Sequence, residues 1–209
     1  MAKTKAPQAK DKKANSGPHP PGRIKIARAM RSLLEKKDFN SITTAEIARE
    51  SGASEALIYR YFSDKRGLLF QVLADDLEKF NEMIRLDIKG IRGALNKLRK
   101  LIWSQINYYH CNRIPAKILL LEVRSHPDYF QSDVYNMVKE YSECIAEIVS
   151  EGVENGEIRD DISRTHIRRI ILGGIEYLSL SGIIQQDDLN VDQLQEDLCS
   201  IIFDGITKK

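Results

Sequence analysis

Between Thr43 and Lys65 the chain sets out side chains suited to touching a nucleic acid: Thr44, Glu55, Ala56, Tyr59, Arg60, Tyr61 and Lys65. An arginine can donate two hydrogen bonds to guanine. A glutamate can accept from cytosine N4, and an alanine methyl can touch thymine. Glu55, Ala56 and Arg60 are therefore the candidates for reading bases. Hydroxyls and an ammonium suit phosphate oxygens, which marks Thr44, Tyr59, Tyr61 and Lys65 as candidate backbone contacts. Other chemistries lack their parts. His19, His110, His126 and His166 show no zinc spacing, and there is no glycine-rich phosphate loop or nucleophile elbow. Cys111, Cys144 and Cys199 are odd in number and far apart, with no CxxC pair. They read as buried thiols in a reducing cytoplasm. The expectation is a binding protein, not an enzyme, with no metal and no cofactor.

Two short helices and a glycine turn would hold those side chains. Thr43 can cap the Glu46 amide while the Glu46 carboxylate returns to the Thr43 amide, a capping box. Ile42 and Ile47 flank it as a hydrophobic staple. Gly52 can take the left-handed stop conformation. Ser54 is placed to cap the next helix, where Ile58 and Phe62 share one face. Ser63 is placed to cap a third. Upstream, Ile26, Ala29, Met30, Leu33 and Leu34 follow amphipathic helical spacing, and Phe39 is a core plug behind them. The second short helix would lie in a DNA major groove, the layout of a helix-turn-helix.

Residues 23–70 resemble the N-terminal domain of the TetR family of bacterial transcription regulators. The resemblance rests on Phe39, Ile42-Thr43-Thr44, Ile47-Ala48, Gly52, Ser54, Ile58-Tyr59-Arg60-Tyr61-Phe62, Lys65 and Leu68. Asp38 departs from the pattern where glycine commonly ends the first helix. Leu57 departs where a small or hydroxyl residue is common, which removes one phosphate contact.

The 209 residues are enough for a small and a medium domain. Residues 1–67 hold 15 Lys/Arg and 7 Asp/Glu, whereas residues 68–209 hold 17 and 23. A basic front and an acidic back fit a nucleic-acid end joined to a different end. Three regions are expected: a flexible basic arm over 1–21, rich in Lys, Ala, Pro and Gln; a helix-turn-helix domain over 22–67; and a ligand-binding and dimerisation domain over 68–209. The arm either adds phosphate attraction or is inert. No apolar run approaches the roughly 20 residues that span a bilayer, so no membrane role is expected. The lysine-rich start lacks the apolar stretch of a secretory signal.

Beyond Lys65 the chain reads as long helices without strand alternation. They are predicted over about 64–89, 93–112, 114–125, 132–155, 163–184 and 191–206. The fold class is therefore all-α, a three-helix helix-turn-helix domain followed by a helical bundle. Polar and ring residues among the apolar ones form the candidate ligand pocket: Trp103, Asn107, Tyr108, Glu122, Tyr141, Gly173 and Tyr177. A mostly apolar cavity with few polar anchors is what small-molecule sites look like. Ordinary core and surface packing is the alternative for each residue. Arg124, Arg168 and Arg169 are either cations for a charged head group or solvated surface.

The family resemblance implies pairing through the last two long helices, here with Gly174, Leu178, Leu198 and Ile202 at a homodimer interface. It also implies an inducer inside the bundle. The segments Ile118–Arg124 and Gly152–Glu176 look similar to the subgroup that senses long-chain acyl-CoA and controls fatty-acid degradation. The implied function is a homodimeric repressor on a palindromic double-stranded DNA operator, released by a hydrophobic effector, acyl-CoA above all. Two alternatives stay open: the same fold controlling drug efflux in response to a lipophilic or cationic compound, and a ligand-free architectural DNA-binding protein.

Overall fold

The computed structural model describes residues 19–185 and 187–208. Most of the expected basic arm lies outside them. Helix α1 (Pro21–Leu34) starts with proline in its first turn, where a missing N–H costs nothing. A short 3-10 turn at Phe39–Ser41 leads to α2 (Thr44–Ser51) and α3 (Glu55–Phe62). There follow α4 (Lys65–Ile88), α5 (Ala94–Cys111) and α6 (Arg113–Lys117). Then come α7 (Asp133–Glu154), α8 (Arg164–Gln185) and α9 (Val191–Ile206). Among the described residues there is no strand, only an isolated bridge between Ile158 and Thr207.

Most long helices begin and end within two residues of their predicted limits. The exception is 114–125. It divides into short α6 and a π-helical turn over Ile118–Val123, followed by a 3-10 turn at Pro127–Gln131. Two predicted caps also differ. Ser54 precedes α3 but its side chain makes no capping hydrogen bond. Ser63 sits at φ 65°, and Asp64 caps α4 instead by accepting from the Gly67 amide at 2.6 Å. That reversal leaves the Phe62 carbonyl oxygen 2.1 Å from where a Gly67 Cβ would stand. No side chain fits there without moving backbone.

Two apolar cores share α4. The first joins α1, α2, α3 and the front of α4 (Leu68, Leu69, Val72, Leu73, Leu77) to Ile118, Leu119, Val123, Tyr129 and Val134. The second joins Phe80 and Ile84 of α4 to α5, α7, α8 and α9. The domain limit expected between 67 and 68 therefore falls inside the first core, because α4 and the π-turn pack under the three-helix head. Arg31 adds a polar tie between α1 and α4. Its guanidinium donates to Asp76 at 2.8 and 3.3 Å and to the Val72 carbonyl at 3.3 Å.

Candidate functional site

The head is built around the turn from α2 to α3. The capping box forms: Thr43 N–H donates to Glu46 Oε2 at 2.9 Å, and Glu46 N–H donates to Thr43 Oγ1 at 3.2 Å. Gly52 closes α2 at φ 65°. Lys37 also bonds the Glu46 carboxylate. That hydrogen bond, then the Thr43 amide, pulls the Glu46 pKa from 4.5 to about 2. A depressed carboxylate pKa stabilises the fold above its unfolded value and loses that contribution as pH falls through the folded one. The head should therefore lose this contribution between about pH 4.5 and 2. In Glu46→Gln the acid limb of a circular-dichroism pH titration should flatten. An unchanged acid limb would contradict the assignment.

The predicted DNA-contact residues fall into two groups. Ala56, Tyr59 and Arg60 are exposed along α3, with Tyr59 half open to solvent. Glu55 is exposed too, but its carboxylate accepts from the Thr44 hydroxyl at 2.6 Å, so these two meet across α2 and α3. Tyr61 is half-buried, set edge-on to Phe62 and beside Gly22 at the start of α1. Lys65 is placed differently from its expectation as a phosphate ligand. Its Nζ donates to the carbonyls of Phe39 at 3.0 Å and Ile42 at 2.7 Å and lies 4.4 Å from the centre of the Phe39 ring. Burial lowers its pKa. Two of its three donors thus tie the start of α4 to the segment leading into α2, which positions the head from behind. The Phe39 plug supplies the carbonyl and the ring that draw it there.

A second site lies inside the bundle. A cavity of about 540 Å³ opens between α4, α5, the π-turn, α7 and α8. This is within the roughly 300–1,000 Å³ range of small-molecule sites. Phe80 stacks against Tyr108 and Tyr141, with ring centres 4.6 and 5.5 Å apart, and makes an aromatic wall. Burial raises the pKa of both tyrosines, so the wall stays neutral. At the other side Arg124 reaches Glu176 of α8 with two hydrogen bonds, at 2.8 and 2.7 Å. Burial opposes the Arg124 charge, but the Glu176 carboxylate more than offsets it and holds the pKa above its ordinary value. Arg168 and Arg169 also line the cavity.

Of the predicted pocket residues, Tyr108, Tyr141 and Gly173 line this cavity. Trp103, Asn107, Glu122 and Tyr177 do not. Trp103 faces the start of α9, donating to Asp192 at 2.7 Å. Asn107 accepts from Cys111 on the outer side of α5. Glu122 borders a separate cleft against the end of α1. Tyr177 follows Glu176 by one residue, about 100° around α8, and is 80% exposed. Two lining residues that the sequence reading missed are Asn81 and Gln105. Both interrupt an apolar helical face, Leu77–Phe80–Asn81–Ile84 and Leu98–Leu101–Gln105–Tyr109, and that was their available signal.

The predicted dimer residues pack within one protomer. Leu198 and Ile202 are 5% and 6% exposed within one protomer. A Cβ on Gly174 would stand 2.8 Å from Leu198 Cδ1. Gly174 therefore lets α8 close on α9 of its own chain, and Leu178 packs against the same core. The apolar side chains left outside are Ile170, Tyr177 and Ile184 on α8, seven residues apart and so on one face, and Ile201 on α9. Periodicity located two apolar faces but not which one turns inward.

No helix among the described residues is long and apolar enough to cross a membrane. None of their His, Cys, Asp and Glu side chains cluster in threes suited to a metal.

Comparison with known proteins agrees with this geometry. The family model for bacterial regulatory proteins of the tetR family matches residues 26–72. That for the C-terminal region of YsiA-like proteins matches residues 73–205. The fatty acid metabolism regulator protein of Bacillus subtilis is 22% identical over 189 residues, covering 90% of this chain and 97% of its own length. A crystal structure of the B. subtilis regulator FadR with stearoyl-CoA superposes with a TM-score of 0.78 at 22% identity, over 88% of this chain and 98% of that one. A transcriptional regulator from Saccharomonospora viridis in complex with choline gives a TM-score of 0.74 at 19% identity, over 90% and 98%. These relatives are regulators, not enzymes. With its capped helix-turn-helix and its helical C-terminal bundle, this chain belongs to the TetR family of bacterial transcription regulators, with a YsiA-like C-terminal region.

Proposed function

We propose that this regulator is a homodimeric repressor released from its operator by a long-chain acyl compound, acyl-CoA in the first place. The observation that carries the proposal is the bundle cavity of about 540 Å³, walled by Phe80, Tyr108, Tyr141 and aliphatic residues and lined by Arg124, Arg168 and Arg169. An acyl tail gains about 0.8 kcal/mol per buried methylene in such a place. Arg168 and Arg169 suit an anionic head group and oppose a cationic drug, whereas Arg124 is already paired with Glu176. A cavity of this size also disfavours a ligand-free architectural role. The fatty-acid regulators among the relatives support the same reading.

The dimer forms through the exposed faces of α8 and α9, centred on Ile170, Tyr177, Ile184 and Ile201. Arg60, Ala56 and Glu55 of each α3 read base edges. Thr44, Tyr59 and Tyr61 hold phosphates, and Lys65 keeps α3 in place. In the DNA-bound state the two recognition helices sit about 34–36 Å apart, one turn of B-DNA. Helix α4 couples the sites. Its Leu77, Phe80 and Asn81 line the cavity, while its front half is core for the head and is tied to α1 through Arg31. An effector that fits better when α4 is displaced shifts the population away from that spacing; equal affinity for both states would shift nothing.

Native mass spectrometry of protein purified from its host tests the reading. A dimer carrying an acyl-CoA-sized adduct is expected. A dimer that carries a lipophilic cation instead would replace the acyl reading with that of a drug-responsive regulator.

A further inference from the structure

The cavity holds polar groups that its own walls leave without partners. Asn81 and Gln105 are 5% and 6% exposed. The Asn81 amide donates to the Met137 carbonyl at 2.9 Å, and the Gln105 amide donates to the Tyr109 hydroxyl at 2.9 Å. Their side-chain oxygens, Oδ1 and Oε1, are buried and accept nothing. A buried acceptor without a partner is destabilising, and native proteins keep few of them without a function. Here two occur in one ligand-sized cavity. We infer that Asn81 and Gln105 determine specificity by accepting hydrogen bonds from a neutral O–H or N–H donor carried by the acyl effector. The inference rests on the acyl reading of the cavity and adds the chemistry of its polar anchor.

The pairing of Arg124 with Glu176 favours a neutral anchor at these two amides, while Lys139, Arg168, Arg169 and Glu143 also line the cavity. Arg124 is held two-pronged by Glu176, so this cation is already compensated. Tyr109, bonded to Gln105, feels both of these charges and is kept protonated by burial. A carboxylate seated beside Asn81 and Gln105 would face two carbonyl oxygens and a carboxylate. A hydroxyl or amide N–H meets both acceptors without displacing the ion pair. Arg168, whose Nε is also buried without a partner, is available to the donor's own oxygen. Two ligand features supply such a donor next to an acyl chain: the amide N–H groups of a CoA thioester's pantetheine arm, and a hydroxyl on the chain itself.

Isothermal titration of the full-length dimer with palmitoyl-CoA, 3-hydroxypalmitoyl-CoA and free palmitate tests this, using wild type, Asn81→Leu and Gln105→Met. Both variants are close to isosteric, and thermal melts without ligand establish that each folds. Asn81→Leu removes an unpartnered acceptor but also the bond to the Met137 carbonyl, so its unliganded melt serves as the folding control. If the pantetheine amide is the donor, both CoA esters weaken about tenfold or more in the variants while palmitate is unchanged. If the chain hydroxyl is the donor, wild type prefers the hydroxyacyl ester and only that preference is lost. Three probes that bind wild type and both variants alike would overturn the inference and leave the acyl reading intact. Failure of every probe to bind wild type would overturn the acyl reading, and the inference with it.

Discussion

Tyr177→Asp should convert the regulator to monomer at micromolar concentration and abolish its operator binding. The side chain is 80% exposed in a single protomer and sits between Ile170 and Ile184 on the outer face of α8. A central aromatic of this kind is worth about 2 kcal/mol or more at an interface, at least about thirtyfold in the dimer constant. A buried aspartate adds desolvation to that loss. Circular dichroism should be unchanged, since the residue touches little of its own chain. Gly174→Trp serves as the contrast. It drives a ring into Leu198 of the same protomer, so it should damage the fold before the dimer. Sedimentation velocity reads both. A Tyr177→Asp chain that stays dimeric would move the interface elsewhere.

Glu176→Gln should destabilise the bundle more than most polar substitutions. It leaves the Arg124 guanidinium in the cavity wall with its carboxylate gone. Breaking a fully buried pair costs about 3–5 kcal/mol. Each side chain here keeps over a quarter of its surface open, which reduces the expected loss to about 2–4 kcal/mol after solvent screening. For a chain of this size that is a fall of roughly 5–15 °C in melting temperature. The double substitution Arg124→Met with Glu176→Met should recover most of it, because no charge is then stranded. If the single substitution melts like wild type, the pair behaves as a surface bridge and Arg124 is free to meet a ligand.

What the sequence made legible follows from how local each cause is. The capping box at Thr43 and Glu46, the stop at Gly52 and the limits of α9 depend on neighbouring residues, and they stand where they were expected. Lys65 shows the opposite case. Its type fits a phosphate, but the Phe39 and Ile42 carbonyls that hold it arrive from more than twenty residues away. Gly174 and Leu198 were visible as a close-approach site and an apolar face. Whether that face meets its own chain or a second copy depends on the crossing of α8 and α9, which one-dimensional spacing does not encode. Tyr177 was marked as a pocket residue for its type. One residue of helical rotation puts it outside and Glu176 inside. Spacing alone singles out the amide of Asn107, which turns to the outer side of α5, and not those of Asn81 and Gln105; an amide on a buried face carries the stronger message, because it must find partners there.

The central claim is that an acyl chain in the bundle releases the head from DNA. Fluorescence anisotropy of a labelled operator duplex, selected in vitro with the full chain, measures it directly. Acyl-CoA of increasing chain length is titrated against the complex. Release should strengthen by up to about fourfold per methylene, from roughly 0.8 kcal/mol each, and then reach an optimum when the cavity is filled. Failure to release at any chain length, with a planar cationic drug releasing instead, would contradict the account.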